Sequence, residues 1–126
     1  MNHKGELNWV ELQTKQPEEA MTFYNRLYGW SFASETNEQG DVYWLISNTD
    51  KFPFGGILTL KEDSPINSRW VTYFQVDDVD TAIRVVEDNN GTIINGPRDV
   101  KGVGRVAWLQ DKERAEFGII APCTDN

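Results

Sequence analysis

The stretch Trp9-Val-Glu-Leu-Gln-Thr-Lys-Gln-Pro-Glu-Glu-Ala20 decides the fold, because a related stretch returns later in the chain. About 62 residues further on lies Val71-Thr-Tyr-Phe-Gln-Val-Asp-Asp-Val-Asp-Thr-Ala82. The same offset places Leu12 on Phe74, Gln13 on Gln75, Phe23 on Val85 and Gly29 on Gly91. Two further matches pair Val42-Tyr-Trp-Leu45 with Val106-Ala-Trp-Leu109, and Phe54-Gly55 with Phe117-Gly118. Such repetition indicates one structural unit used twice. Two copies of a unit can enclose a cleft that holds a ligand.

The first copy reads as a strand, a helix and three further strands. Alternation from Leu7 to Thr14 places Val10, Leu12 and Thr14 on one face of a strand and Trp9, Glu11 and Gln13 on the other. A helix is predicted from Pro17 to a stop at Gly29, with an apolar stripe made of Ala20, Phe23, Tyr24 and Leu27. Strands are predicted at 30–35, 41–48 and 54–60, with a turn at 37–40.

The second copy repeats this order. A strand is predicted at 70–76, a helix at about 79–89 that starts near Asp77 and Asp78 and ends at Asn90-Gly91, and strands at 92–95, 103–110 and 116–121. The helix carries an apolar stripe made of Val79, Ala82, Ile83 and Val86. We therefore expect a single α+β domain over residues 1–126, with βαβββ module one at about 5–61, a linker at about 62–69 and module two at about 70–122. Because neither sheet would be covered alone, the modules must pair within the chain or across a homodimer, and a homodimer is expected.

Composition limits the partners. The 126 residues carry a net charge of −8, which disfavours nucleic acids and anionic membranes and favours a cationic ligand. The single cysteine, Cys123, allows no intrachain disulfide, and no apolar run is long enough to cross a bilayer. No signal-peptide pattern precedes the first strand, so we expect a soluble cytoplasmic protein.

Several short motifs together resemble a known superfamily. The residues that carry the resemblance are Trp9-Val-Glu-Leu, Ala20-x-x-Phe-Tyr24 with Leu27-Tyr-Gly-Trp30, Gly55-Gly-Ile-Leu58, Tyr73-Phe-Gln-Val-Asp-Asp78, and Gly102-Val-Gly-Arg105 followed by Asp111 and Phe117-Gly118. In their order and spacing they resemble the vicinal oxygen chelate superfamily, which includes glyoxalase I, extradiol dioxygenases and the fosfomycin- and bleomycin-resistance proteins. The resemblance implies paired βαβββ modules that form a curved mixed sheet with an open cup. In the metalloenzymes of this superfamily, a divalent metal in the cup chelates two neighbouring substrate oxygens.

The resemblance also implies where metal ligands would lie. Aligned by the helix motif, the four ligand positions fall at or near Trp9, Gly55, Val71 and Gly118. Indole is no practical ligand, and valine and glycine have no donor side chain. The neighbours at a register error of one residue are poor ligands too, and the single histidine, His3, precedes the first strand. We therefore predict no metal and no other cofactor.

The predicted cup carries polar and aromatic side chains instead. Glu11 and Tyr73 are mates under the repeat, as are Gln13 and Gln75. Glu11 is the candidate general base and Tyr73 the candidate hydrogen-bond donor to an oxyanion. Trp9, Gln13, Trp44, Gln75 and Trp108 are the candidate ligand-binding residues. Apolar walls with a few convergent polar groups are typical of small-molecule sites, although the open face of a sheet is also polar where water touches it.

Four functions and one rival fold remain open from the sequence. The favoured function is metal-free binding of a small organic molecule, cationic or aromatic, as in the antibiotic-sequestering proteins that the chain resembles. The alternatives are a metal-independent lyase or isomerase that uses Glu11 as its base, a metal-dependent lyase or dioxygenase if the alignment of ligand positions is wrong, and an accessory module whose cup is vestigial. The rival fold is a ferredoxin-like sandwich, which would lack the third strand after each helix.

Overall fold

The structure is a computed structural model that describes residues 4–36, 40–49 and 52–122. Its backbone divides into two compact units. The first unit is Val10–Val71, and the second combines Met1–Trp9 with Thr72–Asn126. Each unit contains one helix and a mixed sheet, and each is described by itself below.

The first unit is built in the order strand, helix, strand, strand, strand. Its elements are β1 (Leu7–Thr14), α1 (Pro17–Tyr28), β2 (Ser31–Thr36), β3 (Val42–Ser47) and β4 (Gly55–Thr59), with the first residues of β1 assigned to the second unit. The strand order is β2-β3-β4-β1. The strand β1 runs parallel to β4, whereas the β3/β4 and β2/β3 pairs are antiparallel.

The helix α1 begins and ends as the sequence predicts, but its apolar stripe is narrower. Pro17 occupies the first turn, and Gly29 ends the helix in the left-handed conformation at φ 78°. Ala20, Met21 and Tyr24 pack with a core of Leu12, Ile46 and Ile57. The expectation that Phe23 and Leu27 belong to the buried stripe is wrong, because their side chains are 59% and 55% exposed.

The second unit repeats the same order. Its elements are β5 (Arg69–Gln75), α2 (Val79–Asp88), β6 (Thr92–Val100), β7 (Gly104–Gln110) and β8 (Glu116–Pro122), with Arg69–Val71 assigned to the first unit. The strand order is β5-β8-β7-β6, with β5 parallel to β8 and the other pairs antiparallel. All four residues of the predicted α2 stripe pack against a core that includes Ala107, Leu109 and Ile119. Each helix is thus followed by three strands, which excludes the ferredoxin-like alternative.

Charged groups fix the start of α2. Asp78 caps the helix, since its side chain accepts a hydrogen bond from the Thr81 backbone N–H at 3.0 Å. The Thr81 side-chain and backbone donors lower the pKa of Asp78 below its ordinary value. Arg105 on β7 donates to Asp80 in the first turn of α2 and to Asp99 on β6, and these carboxylates raise the pKa of its guanidinium. The cap and the ion pairs tie the helix start to the β6–β7 hairpin.

Most predicted boundaries agree with the structure within one or two residues. The exception is β6, predicted to end at residue 95, which continues to Val100 through register shifts around Gly96-Pro97. Because β6 is the last strand in the order of its unit, the missing N–H of Pro97 is tolerated there. The predicted turn at 37–40 and the residues His3 and Cys123 lie largely outside the described residues. In the described chain, neither helix has the length and apolar character that crossing a membrane requires.

Candidate functional site

The face of the first unit that points away from α1 carries a buried polar network. Leu12 on β1 packs towards α1, so its neighbours Glu11 and Gln13 lie on the opposite face, as the sequence predicts. Glu11 is 1% exposed and Gln13 is 0% exposed. The Glu11 carboxylate accepts two hydrogen bonds of 2.9 Å, one at Oε1 from Gln13 Nε2 and one at Oε2 from the Tyr43 hydroxyl. Two donors on one carboxylate fix its position.

The Gln13 amide links this carboxylate to a cation. Arg69, the first residue of β5, donates a hydrogen bond from Nε to Gln13 Oε1 at 3.0 Å. Because arginine only donates and an ionised carboxylate only accepts, Gln13 has a single orientation that satisfies both neighbours. Among the described residues, no buried side-chain nitrogen or oxygen lacks a hydrogen-bond partner. The network of Arg69, Gln13, Glu11 and Tyr43 is therefore fully connected, and such networks specify one arrangement.

The strand register shows how Tyr43 reaches Glu11. Glu11 pairs with Gly56 on β4, and Gly56 pairs with Leu45 on β3, so these three positions share the face. Tyr43, two residues before Leu45, lies on that face too. Its ring covers Gly56 so closely that a Cβ placed there would collide with the ring. Glycine at position 56 thus admits the tyrosine that holds the carboxylate.

The second unit has the same tyrosine-over-glycine arrangement, built from a different strand. Tyr73 on β5 pairs with Gly118 on β8 and is 1% exposed. A Cβ at Gly118 would collide with the Tyr73 ring. In each unit, therefore, a tyrosine ring fills the space that a side chain at the glycine position would need.

These glycines bear on the metal positions that the family resemblance implies. The register pairs Gly56 with Glu11 as it pairs Gly118 with Tyr73, so the equivalent of Gly118 is Gly56 rather than the predicted Gly55. Neither glycine offers a donor, and the tyrosine rings leave no room for one. Trp9 and Val71 supply no practical ligand either. In the described part of the chain, no three or more His, Cys, Asp or Glu residues are grouped to hold a metal ion. The residues present therefore do not fit the divalent metal of the family.

Trp44 and Trp108, two of the three predicted ligand-binding tryptophans, do not occupy equivalent places. Trp44 pairs with Ile57 and packs on the α1 side of the first sheet, away from Glu11. Trp108 pairs with Gly118 and therefore shares the face of Tyr73. Its indole Nε1 donates to Glu116 Oε1 at 2.9 Å. The expectation that Trp44 lines the same kind of face as Trp108 is wrong, because the true equivalent of Trp108 is Leu45.

The remaining predicted site residues lie in the second unit. Trp9 and Tyr73 are buried, and Gln75 is half-buried and accepts a hydrogen bond from Asn8 Nδ2 at 3.0 Å. The structure thus brings Glu11 and Gln13 together in the first unit. Sequence reasoning missed Tyr43, Arg69 and Glu116. Tyr43 could have been found from the sequence, because it lies two residues before Leu45 and therefore on the same strand face. No pattern in the sequence marks Arg69 as a site residue, because it ends a polar linker.

Two hollows border α1 and lie away from the polar network. One of about 460 Å³ lies between the start of α1 and the linker, with Thr14, Lys15, Phe23 and Asn67 in its lining. The other, of about 480 Å³, lies along α1 and is lined by Glu19, Thr22, Phe23, Arg26 and Leu27. Both hollows share Glu19 and Phe23 in their linings.

Two βαβββ units, each with its helix on one sheet face and a buried tyrosine on the other, define a glyoxalase-like α+β protein. The sequence model of the Glyoxalase/Bleomycin resistance protein/Dioxygenase superfamily matches residues 6–119, and the chain belongs to this family. The predicted fold class and family are thereby confirmed.

Two relatives of known name, one from a mycobacterium and one from a streptomycete, carry different functional names. The chain is 31% identical, over 97% of its length, to CFP32 of Mycobacterium tuberculosis, which is named as a candidate glyoxylase. It is 26% identical, over 88% of its length, to the anthracycline biosynthesis protein DnrV of Streptomyces peucetius. It spans 46% and 45% of these two proteins, so it covers about half the length of the curated relatives it matches.

Solved structures with the same fold include methylmalonyl-CoA epimerases. The epimerase from Mycobacterium tuberculosis matches with a TM-score of 0.66 and 16% identity, over 98% of this chain and 91% of that chain. A variant of the Streptomyces coelicolor epimerase, in complex with 2-nitronate-propionyl-CoA, matches with a TM-score of 0.68 and 16% identity, over 96% and 99% of the two chains. At this identity the likeness shows the shared fold alone.

Proposed function

We propose that this chain binds a small organic molecule, cationic or aromatic, at the strand face of the first unit, without a metal ion. The observation that carries the proposal is the fixed and buried Glu11 carboxylate. A carboxylate held in this way offers a preorganised anionic contact, and preorganisation reduces the entropy lost when a ligand binds. The glycines under Tyr43 and Tyr73 support the metal-free part of the proposal.

A ligand reaches Glu11 by displacing one of its donors, because the carboxylate is 1% exposed. The Tyr43 hydroxyl is the donor whose displacement leaves the Arg69–Gln13–Glu11 chain of hydrogen bonds intact. A protonated amine that takes the place of this hydroxyl makes a charge-assisted hydrogen bond, which is stronger than the bond it replaces because both partners are then charged.

Probe molecules follow from the names of the family and its relatives. Bleomycin and an anthracycline are both aromatic and carry amines, and neither is assumed to be the natural ligand. Isothermal titration calorimetry of each probe should show binding by the wild-type chain. Glu11→Gln should weaken it about tenfold or more, since hydrogen bonds to charged groups contribute about 1.5–3 kcal/mol. The same change at exposed Glu87, on α2, is the matched control and should leave affinity unchanged.

Tyr43→Phe gives a test with the opposite sign. It keeps the ring over Gly56 but removes the hydroxyl that competes with the ligand. We expect tighter binding of the cationic probe to this variant. If neither probe binds at millimolar concentration, or if affinity is the same in Glu11→Gln and Tyr43→Phe as in the wild type, the proposed site is wrong. Free replacement of Glu11 would then favour an accessory module.

A second candidate function is a metal-independent isomerase or lyase with Glu11 as general base. The observation that favours it is the 2.9 Å contact between the Glu11 carboxylate and the Tyr43 phenol, a base beside a proton donor. In this pairing Tyr43 is the phenol that the structure shows on Glu11, and the role of Tyr73 as hydrogen-bond donor to an oxyanion stays a prediction. The test follows deuterium uptake from D2O into methylmalonyl-CoA, the compound named in the epimerase structures. Uptake that persists in Glu11→Gln would contradict this role.

A further inference from the structure

The exposed face of α1 carries large apolar side chains that the fold of its own unit leaves uncovered. Phe23 and Leu27 stand one helical turn apart and are 59% and 55% exposed. The equivalent helix in the second unit has Val85 in the place of Phe23, and the places of Glu19 and Arg26 are held by Thr81 and Asp88. Val85 is itself 56% exposed, so an exposed apolar side chain at this place is common to both helices. The opposite charges seven residues apart are particular to α1 and are not imposed by the repeated fold.

The hollow along α1 has the spacing of a helix-packing socket. Its lining includes Glu19, Thr22, Phe23 and Arg26, which are residues i, i+3, i+4 and i+7 of one helix. Four residues with this spacing form the hole that receives one side chain of a facing helix in knobs-into-holes packing. Phe23 also offers an exposed aromatic side chain at the same place. One α1 face therefore offers both a knob and a hole.

The charges on α1 match those of a second copy turned end for end. Glu19 and Arg26 lie equally far, three and a half residues, from a point between Thr22 and Phe23. A two-fold axis through this point places Glu19 of each copy level with Arg26 of the other. It also places the two Phe23 side chains within one turn of each other at the centre. A two-fold interface is self-complementary in this way.

We propose that α1 forms an antiparallel, two-fold interface with α1 of a second copy of this chain. Each Phe23 inserts into the hole of the facing helix, and two Glu19–Arg26 ion pairs flank the centre. The twelve residues of α1 span about 18 Å, so the contact is smaller than a standard stable interface. The dimer is therefore weak and depends on concentration.

Sedimentation equilibrium of the 126-residue chain tests the proposal. The average mass should rise with concentration from 14.4 kDa towards twice that value. Phe23→Lys should abolish the rise, because it removes the knob and introduces like charges near the axis. Val85→Lys makes an equivalent exposed change on α2 and should leave the association unchanged. Circular dichroism checks that each variant is folded.

A charge-swap experiment identifies the geometry of the interface. Each single variant, Glu19→Arg or Arg26→Glu, turns both ion pairs of the dimer into pairs of like charges. Each variant should therefore weaken the dimer roughly tenfold. The double variant Glu19→Arg/Arg26→Glu restores two opposite-charge pairs and should recover wild-type association. A chain that stays monomeric at millimolar concentration overturns the proposal. So does a dimer that is insensitive to Phe23→Lys, or a double variant that associates no better than the single ones.

Discussion

The buried side-chain amide of Gln13 bridges two charged residues, Arg69 and Glu11. This amide accepts from Arg69 and donates to Glu11, and it is fully buried. Gln13→Leu keeps the volume similar but removes both hydrogen bonds. Because buried polar groups lose a partner, we expect the free energy of unfolding to fall by about 1–3 kcal/mol. Urea denaturation of the two proteins measures the difference.

The control for this prediction is the same substitution at an exposed glutamine. Gln16 precedes α1, and its side chain makes no capping hydrogen bond. Gln16→Leu should therefore change the free energy of unfolding by less than about 0.5 kcal/mol. Equal effects of the two substitutions would mean that the Gln13 network contributes no particular stability.

Gly56 and Tyr43 form a packing pair that a double-mutant cycle can test. Gly56→Ala places a methyl group where the Tyr43 ring lies, and such overpacking should destabilise the fold by about 1–3 kcal/mol. In a Tyr43→Leu background the ring is absent, so Gly56→Ala should be less harmful. The coupling free energy comes from urea denaturation of the four proteins. Strictly additive effects would contradict the close approach of ring and glycine.

Alternation along β1 was sufficient to predict which of its residues share a face. It placed Glu11 and Gln13 together, and the structure bonds their side chains directly. It could not identify Tyr43 or Arg69 as partners, because these lie 32 and 56 residues from the groups they contact. Partners at such separations are set by strand pairing, which alternation along one strand does not specify.

At the level of elements, a one-residue shift explains the error at Trp44. The sequence echo pairs Val42-Tyr-Trp-Leu45 with Val106-Ala-Trp-Leu109, which equates Trp44 with Trp108. The strand registers equate Leu45 with Trp108 instead. Because side chains alternate along a strand, a shift of one residue moves a side chain to the other face. Helix boundaries were easier to predict, since Pro17, Gly29 and Asp78 mark them locally.

The Asp78 cap predicts a pH-dependent contribution to stability. Hydrogen bonds from Thr81 hold the pKa of Asp78 below its ordinary value of 3.8 in the folded protein. A carboxyl whose pKa is lower in the folded state stabilises the fold fully above pH 3.8 and loses this effect as the pH falls through its folded-state pKa. Asp78→Ala should therefore destabilise the protein at neutral pH and have progressively less effect in acid. Urea denaturation across the pH range measures this difference.

Asp63 provides the control for the cap, because it is an exposed aspartate in the linker. Asp63→Ala should leave stability nearly unchanged at every pH. If Asp78→Ala destabilises the protein equally at neutral and at strongly acidic pH, the prediction is wrong. The stabilisation by the hydrogen bonds from Thr81 would then not depend on the charge of the Asp78 carboxylate.

At the scale of the whole chain, the internal repeat predicted the two βαβββ modules but overstated their chemical likeness. The units share element order and a tyrosine over a glycine. Tyr43 of β3 fills this role in the first unit, whereas Tyr73 of β5 fills it in the second. In the first unit a carboxylate, an amide and a phenol are joined into one buried network, and the residues equivalent to Glu11 and Tyr43 in the second unit are Tyr73 and Val106. Topology survives divergence better than side-chain chemistry, because many side chains can fill the same volume.

Many proteins of this superfamily use a divalent metal, and the metal content of this chain can be measured directly. Trp9, Gly56, Val71 and Gly118 provide no ligand set, so the purified chain should hold far less than one zinc, nickel, iron or manganese ion per chain. Plasma mass spectrometry of protein prepared without a metal-affinity tag measures this content. A chelator should change neither the melting temperature of the chain nor its affinity for a bound probe. A metal ion bound to the folded state would stabilise it, so removing such an ion would lower the melting temperature. One ion per chain that survives dialysis, with a melting temperature that falls on chelation, would show that residues other than these four coordinate a metal.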